Sequence, residues 1–352
     1  MRVLAGVAAV AAAVVSSPLA AAQFPPSPPR TTERPVVGVL SIPLTDSGDC
    51  VTLSGTVSLE GNEKSDEASC FDNIYVKWIE AAGARVVPIR YDSLTADLDK
   101  LFNSLNAILF TGGGTDITDL SSPYMSAAGH LLNASIAAFV NDGDHVPVWG
   151  TCMGIQTLSA LIAQNASVVE PGYVGVDPLM MPLNLTAAAS SSTMFGSLPE
   201  VVRSSLDTKP ITTNLHHEGV APSQFTTDDH LSAFFNVLST NTDTAGREFV
   251  STIEGKTVPV YGVQWHPERP QFEWHKIDPV TGLDPINHDS LTVYAMQSFA
   301  NFFVSEVRFT VNTNLGLTRS LLRYCHLTLS RCLFRHGATI TPSRLRTTWL
   351  LS

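Results

Sequence analysis

The chain has 352 residues, which is enough for one large domain or two smaller ones. Its residues are 44% hydrophobic and 15% charged, so it can build a sizeable core, and this excludes a wholly disordered chain. The formal net charge is -11, and residues 1–307 hold 14 basic and 32 acidic side chains. This balance argues against nucleic acid as a partner, because phosphate binding needs clustered Lys and Arg.

The N-terminus has the features of a removable secretory signal peptide, predicted over residues 1–22. Arg2 precedes an almost unbroken apolar run at residues 3–15, and a small-residue segment ends in Ala20-Ala21-Ala22. The run is too short to span a bilayer, although an uncleaved anchor is the alternative. Residues 23–35 contain five Pro and are predicted to be a linker, since this composition allows neither a helix nor a central strand.

Two further patterns fit the secretory route. Three N-x-[ST] sequons begin at Asn133, Asn165 and Asn184 and are candidate glycosylation sites. The cysteines are five in number: Cys50, Cys70, Cys152, Cys325 and Cys332. An odd count leaves at least one thiol free or paired between chains. Cys50 and Cys70 flank one polar segment and could be bridged. We expect a secretory-pathway protein of the vacuole, the lysosome or the extracellular space.

The folded domain is predicted over residues 36–307, where strands and helices alternate. The first predicted elements are a strand at 36–40, a loop or hairpin at 46–69, a helix at 75–82, a strand at 85–89, a helix at 94–105 and a strand at 107–110. The later ones are a helix at 131–142, a strand at 146–149, a helix at 153–164, strands at 249–253 and 258–263, and a helix at 290–307. The strands are continuously apolar, which indicates parallel strands covered on both faces. The predicted fold class is α/β, a three-layer sandwich around a mostly parallel central sheet.

Residues 308–352 differ in kind from the rest of the chain. They contain seven Arg and no acidic residue, and their Leu, Ser and Thr follow no clean period. A poorly ordered tail, a surface-binding tail and an atypical splice form or gene model all fit this composition.

The most informative segment runs from Val146 to Gly154, where an apolar strand enters Gly-x-Cys-x-Gly and then a helix. This is a nucleophile-elbow pattern with Cys152 in place of serine. The glycines allow a sharp turn, and the N-terminus of the helix favours the thiolate that a cysteine nucleophile needs. The Met153 N–H is then free to face an oxyanion. A buried structural cysteine is the alternative.

Three glycines, Gly112 to Gly114, follow the predicted strand at residues 107–110. Their N–H groups form a concave loop that would complete an oxyanion hole. A phosphate cradle is disfavoured because no Lys-Ser or Lys-Thr pair follows. A plain tight turn remains the alternative.

Two histidine segments complete the set of candidates. His266 and Glu268 follow a predicted strand, and their side chains meet if strand geometry persists past Pro267. A base oriented by a carboxylate is the usual partner of a catalytic nucleophile, and a surface turn is the alternative. His216 and His217 are adjacent and point apart, so we expect His216 to contact substrate rather than a metal.

Together these segments resemble the γ-glutamyl hydrolase (folylpolyglutamate hydrolase) family, which has the class I glutamine amidotransferase-like, flavodoxin-like fold. The resemblance covers roughly residues 35–308. It rests on PVVGVL from Pro35, YVKWIEAAG from Tyr75, LFTGGG from Leu109, WGTCMG from Trp149, NLH from Asn214, GVQWHPE from Gly262 and FEW from Phe272.

The resemblance implies a cysteine hydrolase that cuts the γ-glutamyl bonds of folylpoly-γ-glutamates through a thioester, without a cofactor or a metal. The site residues that match by position are Cys152 as nucleophile, His266 as general acid/base, Glu268 as orienting carboxylate, His216 near the substrate, and the N–H groups of Gly114 and Met153 in the oxyanion hole. The implied partner is this small-molecule substrate, with no nucleic acid and, after signal cleavage, no membrane. A homodimer is left open.

Two features depart from the family pattern. Gln156 stands where relatives carry an acidic residue, and the Arg-rich tail replaces the usual C-terminal strand region. Two rival functions use the same fold: a free glutaminase of the amidotransferase type, and a catalytically silent secreted binding protein. The signal peptide disfavours the first, because such glutaminases work beside a cytosolic synthase. The intact Cys152, His266 and Glu268 disfavour the second.

Overall fold

The structure, a computed structural model, describes residues 32–44, 56–59, 69–274 and 284–310. These residues belong to one compact unit, Thr31–Ser352. The predicted signal peptide, most of the linker and most of the Arg-rich tail lie outside the described residues, as do Cys50, Cys325 and Cys332. Cys70 is in a disulfide, and Cys152 is a free cysteine.

Strands and helices alternate through the first half of the domain. Its elements are β1 (Val36–Leu40), β2 (Ile42–Pro43), β3 (Thr56–Leu59), β4 (Ser69–Asp72), α1 (Asn73–Ala81), β5 (Arg85–Ile89), α2 (Thr95–Phe102), β6 (Ala107–Phe110), α3 (Pro123–Ala137), β7 (Val148–Thr151) and α4 (Met153–Ala163).

The second half has shorter elements before it returns to the sheet. They are β8 (Val169–Pro171), β9 (Leu179–Met181), β10 (Asn184–Leu185), α5 (Thr193–Gly196), α6 (Glu200–Leu206), β11 (Thr212–Asn214), β12 (Glu218–Val220), α7 (Gln224–Thr227), α8 (Asp229–Phe234), β13 (Phe235–Thr242), β14 (Glu248–Gly255), β15 (Val260–Val263), α9 (Arg269–Phe272) and α10 (Ser290–Val307). Short 3-10 turns span Ala166–Val168 and Ala187–Ser191.

Eight strands form the central sheet in the order β10-β13-β14-β15-β7-β6-β1-β5. The five strands from β15 to β5 are parallel to one another, and β14, β13 and β10 extend the sheet with antiparallel pairing. The predicted α/β class with a mostly parallel sheet is confirmed. The segment predicted as a loop or hairpin contributes β3, which pairs antiparallel with β4.

Both faces of the sheet are covered, which explains why its central strands are apolar throughout. In β1, Val36 and Leu40 pack into one hydrophobic cluster, while Val37 and Val39 pack into the other. Side chains of α2, α3, α4 and α8 belong to the first cluster, and those of α1 and α10 belong to the second. Successive strand residues point to opposite faces, so each β1 side chain is buried against a helix layer.

The third helix begins earlier than its apolar pattern predicts. The predicted start was residue 131, but α3 begins at Pro123 because Ser122 Oγ accepts the Met125 N–H at 3.3 Å and proline suits the first turn. The helix continues into one π-helical turn, Ala138–Asp142, and Gly143 ends it with φ of 68°. This turn falls within the predicted helix, and a left-handed glycine is a common end signal.

The two ends of the described domain are joined by hydrogen bonds. The Thr32 N–H donates to Arg308 O at 3.2 Å. The Arg308 guanidinium donates to Glu33 O at 3.3 Å and Gly83 O at 3.1 Å. Thr310 Oγ1 donates to the Asn106 carbonyl at 2.7 Å. We call these contacts the terminal clasp.

Three parallel strands deliver their following loops to one edge of the sheet. Thr151, the last residue of β7, pairs with Val263, the last residue of β15, and β6 lies on the other side of β7. The carboxyl edge of such a sheet is where ligands bind in open α/β folds. Among the described helices, none combines the length and hydropathy needed to cross a bilayer.

Candidate active site

Cys152 occupies a strained turn between β7 and α4. Its backbone has φ of 53° and ψ of -108°, a region that residues with a Cβ rarely adopt. Two contacts hold it there: its N–H donates to Val263 O at 2.8 Å, and its carbonyl accepts the Ile155 N–H at 3.1 Å. The predicted nucleophile elbow is therefore formed, with Cys152 as the first residue before α4.

The two glycines of Gly-x-Cys-x-Gly are required by close backbone approach. A Cβ on Gly150 would lie 2.6 Å from the Gly154 carbonyl, and a Cβ on Gly154 would lie 2.4 Å from Phe110 O. Neither distance is tolerated by a real side chain, because the atoms met are rigid backbone. The elbow thus packs directly against the end of β6.

His266 and Glu268 form a buried pair beside the elbow. The distance from His266 Nδ1 to Glu268 Oε1 is 2.6 Å, and both side chains are almost fully buried. A carboxylate only accepts, so Nδ1 carries the proton of this bond. Residues 266–268 form a turn, so the predicted strand geometry does not persist past Pro267. The contact is therefore present, but a His-Pro-Glu turn makes it.

His266 and Cys152 face one another across Gly112. A Cβ built on Gly112 would lie 2.9 Å from His266 Cε1 and 3.3 Å from Cys152 Cβ. Burial lowers the pKa of His266, but the Glu268 carboxylate and the neighbouring Cys152 raise it more, to about 9. Its Nε2 is buried and lacks a hydrogen-bond partner among the described residues. This nitrogen is the atom available to exchange a proton with the thiol or with substrate.

The glycine loop after β6 is held by Tyr75, which carries no motif signal for the site in the sequence. The Gly112 N–H donates to Tyr75 Oη at 2.7 Å. Burial, and then the Glu268 charge, raise the pKa of Tyr75 well above its usual value, so the hydroxyl keeps its proton. Gly114, the predicted oxyanion donor, is exposed on this loop, while Met153 is buried at the first position of α4.

His216 lies near the pair as a neutral base. Its Nδ1–H donates to Glu218 O at 2.8 Å, and burial lowers its pKa to about 4. Its ring packs edge-on against Phe249 at 4.7 Å between centroids. Nε2 is therefore an acceptor, and it has no partner among the described residues. His217, by contrast, is 70% exposed and pairs with Asp177, so the two adjacent histidines do point apart.

Gln156 is a buried donor under the site. Its Nε2 donates to Glu218 O at 2.8 Å and to Gln264 Oε1 at 3.2 Å. It thereby links α4 to the two chain segments that carry His216 and His266. An amide suits this position because both of its partners are acceptors.

A second unassigned residue, Arg269, lies behind Glu268. Its Nε is 3.9 Å from Glu268 Oε1, and its guanidinium pairs with Glu273. The charges thus alternate from His266 through Glu268 and Arg269 to Glu273. Arg269 follows Glu268 directly in sequence, but only the turn into α9 brings it back against that carboxylate.

Three segments of the chain thus bring Cys152, the His266–Glu268 pair and His216 to one place. In the described part of the chain, no group of His, Cys, Asp and Glu side chains has the arrangement of a metal site. A free thiol beside a buried histidine–carboxylate pair is the arrangement of nucleophilic acyl transfer.

Comparison with known proteins agrees with a cysteine nucleophile that acts on an acyl group. The Peptidase C26 family matches residues 50–268. The gamma-glutamyl hydrolase of Homo sapiens is 44% identical over 235 residues, covering 66% of this chain and 70% of the human protein. Gamma-glutamyl hydrolase B of Dictyostelium discoideum is 34% identical, covering 78% of this chain and 72% of that protein. The chain therefore belongs to the Peptidase C26 family of γ-glutamyl hydrolases.

Proposed function

We propose that the protein is a cysteine-type γ-glutamyl hydrolase that shortens folylpoly-γ-glutamates. The observation that carries the proposal is the free thiol of Cys152 on a strained elbow, beside the buried His266–Glu268 pair. The names of the relatives supply the bond class, since they are γ-glutamyl hydrolases.

The chemistry begins with attack of the Cys152 thiolate on the γ-glutamyl carbonyl carbon, after the proton of the thiol has passed to His266. A carbon–sulfur bond forms, and the carbonyl oxygen takes the negative charge. The N–H of Met153, at the first position of α4, has no intrahelical acceptor and is available to that oxygen. The glycine loop, through Gly114, would supply the second donor. The developing charge also lies at the positive end of α4.

Collapse of this intermediate breaks the carbon–nitrogen bond. The departing amine needs a proton, and His266, with a pKa of about 9, carries one at neutral pH. Once neutral, His266 Nε2 accepts a proton from water, which attacks the thioester and releases the carboxylate product. Glu268 holds the ring through Nδ1 in both steps and stabilises the imidazolium.

His216 supports binding of a γ-glutamyl group rather than the proton transfers. Its pKa of about 4 keeps the ring neutral, and its free Nε2 accepts a hydrogen bond. A γ-linked glutamate offers such a donor in its α-nitrogen. A neutral acceptor fits this role without adding charge to the buried site.

The test is incubation of the purified protein with a pteroyl-poly-γ-glutamate, with chain length followed by chromatography. We expect shortened products from the parent and none from Cys152→Ala, whose folding is checked by circular dichroism. Hydrolysis of free glutamine is assayed in parallel. Activity on glutamine alone would instead make the protein a glutaminase, and no activity from a folded parent would favour the binding protein.

We also propose passage through the secretory pathway, which the N-terminal composition supports. The Asn133, Asn165 and Asn184 side chains are all exposed, as glycan attachment requires. Treatment of the protein from a eukaryotic host with peptide N-glycosidase should reduce its mass. The decrease in mass should be smaller for Asn165→Gln and for Asn184→Gln, because each variant lacks one acceptor asparagine. An unchanged mass after treatment would contradict the proposal.

A further inference from the structure

A cleft with a volume of about 380 Å³ opens next to the glycine loop and is separate from the thiol. Its volume falls in the range of small-molecule sites. Cys152 and His266 are not among the described residues that line it. Its walls come from three places: Pro43 at the end of β2, Tyr91 and Asp92 after β5, and residues between Thr115 and Tyr124, where the chain enters α3.

The cleft lies on one side of the nucleophile along the carboxyl edge of the sheet. Cys152 follows β7, and the cleft lies over the ends of β6, β1 and β5, which come next in order. At about 4.8 Å per strand, β1 is two spacings, or roughly 10 Å, from β7. Thr115 directly follows the glycine loop, whose Gly112 lies against Cys152. A ligand in the cleft and a bond at the thiol can therefore belong to one extended molecule.

Most of the cleft wall is aromatic or apolar. Tyr91 and Tyr124 are buried side chains, and Pro43 and Pro123 flank the opening. Such walls suit a flat aromatic ring system, because rings and prolines offer faces for stacking.

The charged groups that line the cleft are carboxylates. Asp116 lines it, and its Oδ1 accepts the N–H and Oγ1–H of Thr118 at 2.8 and 2.6 Å, bonds that lower the pKa of Asp116. Asp92 also lines the cleft, and its Oδ2 forms an ion pair with Arg90 Nη2 at 2.8 Å, which neutralises its charge. The remaining charge is negative, which repels a glutamate chain and attracts N–H donors. A 2-amino-4-oxopteridine presents two adjacent N–H donors on one edge, which match one carboxylate.

We propose that this cleft binds the pteridine end of the substrate, with Asp116 accepting hydrogen bonds from the ring edge. The glutamate chain then leaves past Cys152 on the side of β15. This inference rests on the proposed function, since it assigns one end of the same substrate.

The chain supplies a matched control for Asp116. Asp119 forms the same turn three residues later, where its Oδ1 accepts the N–H and Oγ–H of Ser121 at 2.8 and 2.6 Å. Asp119 does not line the cleft. Asp116→Asn and Asp119→Asn therefore remove the same charge from equivalent turns, and each amide retains the oxygen that the turn uses.

The first experiment compares pteroyl-tri-γ-glutamate with p-aminobenzoyl-tri-γ-glutamate, which lacks the pteridine. Asp116→Asn should lower kcat/KM for the pteroyl substrate about fivefold to tenfold, through KM, because a charged hydrogen bond is lost. Its kcat/KM for the p-aminobenzoyl substrate should stay within about twofold of the parent value. Asp119→Asn should leave kcat/KM for both substrates unchanged. Equal effects on both substrates, or no effect of Asp116→Asn, would overturn the assignment.

A binding measurement separates this inference from the proposed function. Calorimetry with pteroate, which has no glutamate, needs no turnover. We expect pteroate to bind the parent and Asp119→Asn alike and Asp116→Asn more weakly. If neither substrate is cleaved but this pattern holds, the hydrolase proposal fails and the cleft assignment stands. Absent or equal binding in all three proteins would overturn the cleft assignment itself.

Discussion

The ionisation of His266 is set by neighbours that act in opposite directions. Burial alone would keep the ring neutral, but the Glu268 carboxylate and Cys152 hold its pKa near 9. Because this pKa is above the ordinary value of about 6.5, the charged ring stabilises the folded state fully below that value. The stabilisation is lost as pH rises through about 9.

Removal of the Glu268 charge should therefore move the alkaline limb of the activity profile. The parent should lose activity as pH rises through about 9, since His266 then has no proton for the leaving amine. In Glu268→Gln, the limb should shift to lower pH and the maximum rate should fall. The check is kcat against pH for both proteins, with Glu200→Gln, an exposed carboxylate, as control. An unshifted limb in Glu268→Gln would exclude His266 as the titrating group.

The pKa of His216 is shifted in the opposite direction to that of His266, so its effect on stability appears at acidic pH. Its folded-state pKa of about 4 is below the ordinary value, so the unfolded chain takes up the proton first as pH falls. Stability should drop between about pH 6.5 and pH 4, by on the order of 3 kcal/mol. Urea unfolding at several pH values should show this slope in the parent and in His217→Gln, whose side chain is exposed. His216→Gln should lose most of this dependence of stability on pH. An identical slope in all three proteins would contradict the role given to His216.

At the scale of elements, the elbow is the turn whose geometry leaves least room for side chains. Strand β7 enters it with Gly150 against Gly154, and α4 leaves it with Gly154 against Phe110 O. The turn fixes the position of the Cys152 backbone relative to both β6 and β15. Its geometry depends on the absence of two Cβ atoms.

Gly154→Ala should consequently destabilise the protein and reduce activity, although alanine is the better helix former. The new Cβ would meet the Phe110 carbonyl at 2.4 Å, which forces the strand and helix apart. We expect a loss of about 2–3 kcal/mol by thermal unfolding, as for other overpacked sites. Gly129→Ala in α3 is the control, because its Cβ would meet only the flexible end of Leu161 at 3.2 Å. It should be neutral or stabilising, and equal losses in both variants would refute the explanation.

Elements with strong local signals were predictable from sequence, and those that depend on tertiary contacts were not. The predicted helix at residues 290–307 has its observed bounds, and in the structure the Asp289 side chain accepts the Thr292 N–H at its start. Strand β13 was missed, since its polar residues pair antiparallel with β14 and give no continuous apolar run. Cys152, His266 and Glu268 carried motif signals. Tyr75 is predicted only as the start of a helix, and only the fold brings its hydroxyl to Gly112.

At the scale of the whole molecule, the terminal clasp closes the domain. The Arg308 side chain donates to carbonyls of Glu33 and Gly83, and the Thr32 N–H returns a bond to its backbone. These residues join the start of β1 to the end of α10. They include the first residues of the segment predicted as an Arg-rich tail.

Arg308→Ala should lower the free energy of unfolding by about 1–2 kcal/mol, because a charged donor to several carbonyls is lost. Arg203→Ala is the matched control, since Arg203 forms only an exposed pair with Glu200, worth less than about 0.5 kcal/mol. Thermal or urea unfolding of the two variants provides the measurement. An equal loss in both would show that the clasp contributes no more than a surface ion pair. Activity should be retained in Arg308→Ala at temperatures where it is folded.

The clasp makes the domain suited to circular permutation. Since Thr32 and Arg308 are hydrogen-bonded neighbours, a short peptide between them would join the two ends with little loss of conformational freedom. The β-turn between β13 and β14, where Gly246 is unobstructed, is a suitable place to open the chain. A circular permutant with this cut would carry His266 before Cys152 in sequence, yet it would present the same pair of side chains to substrate.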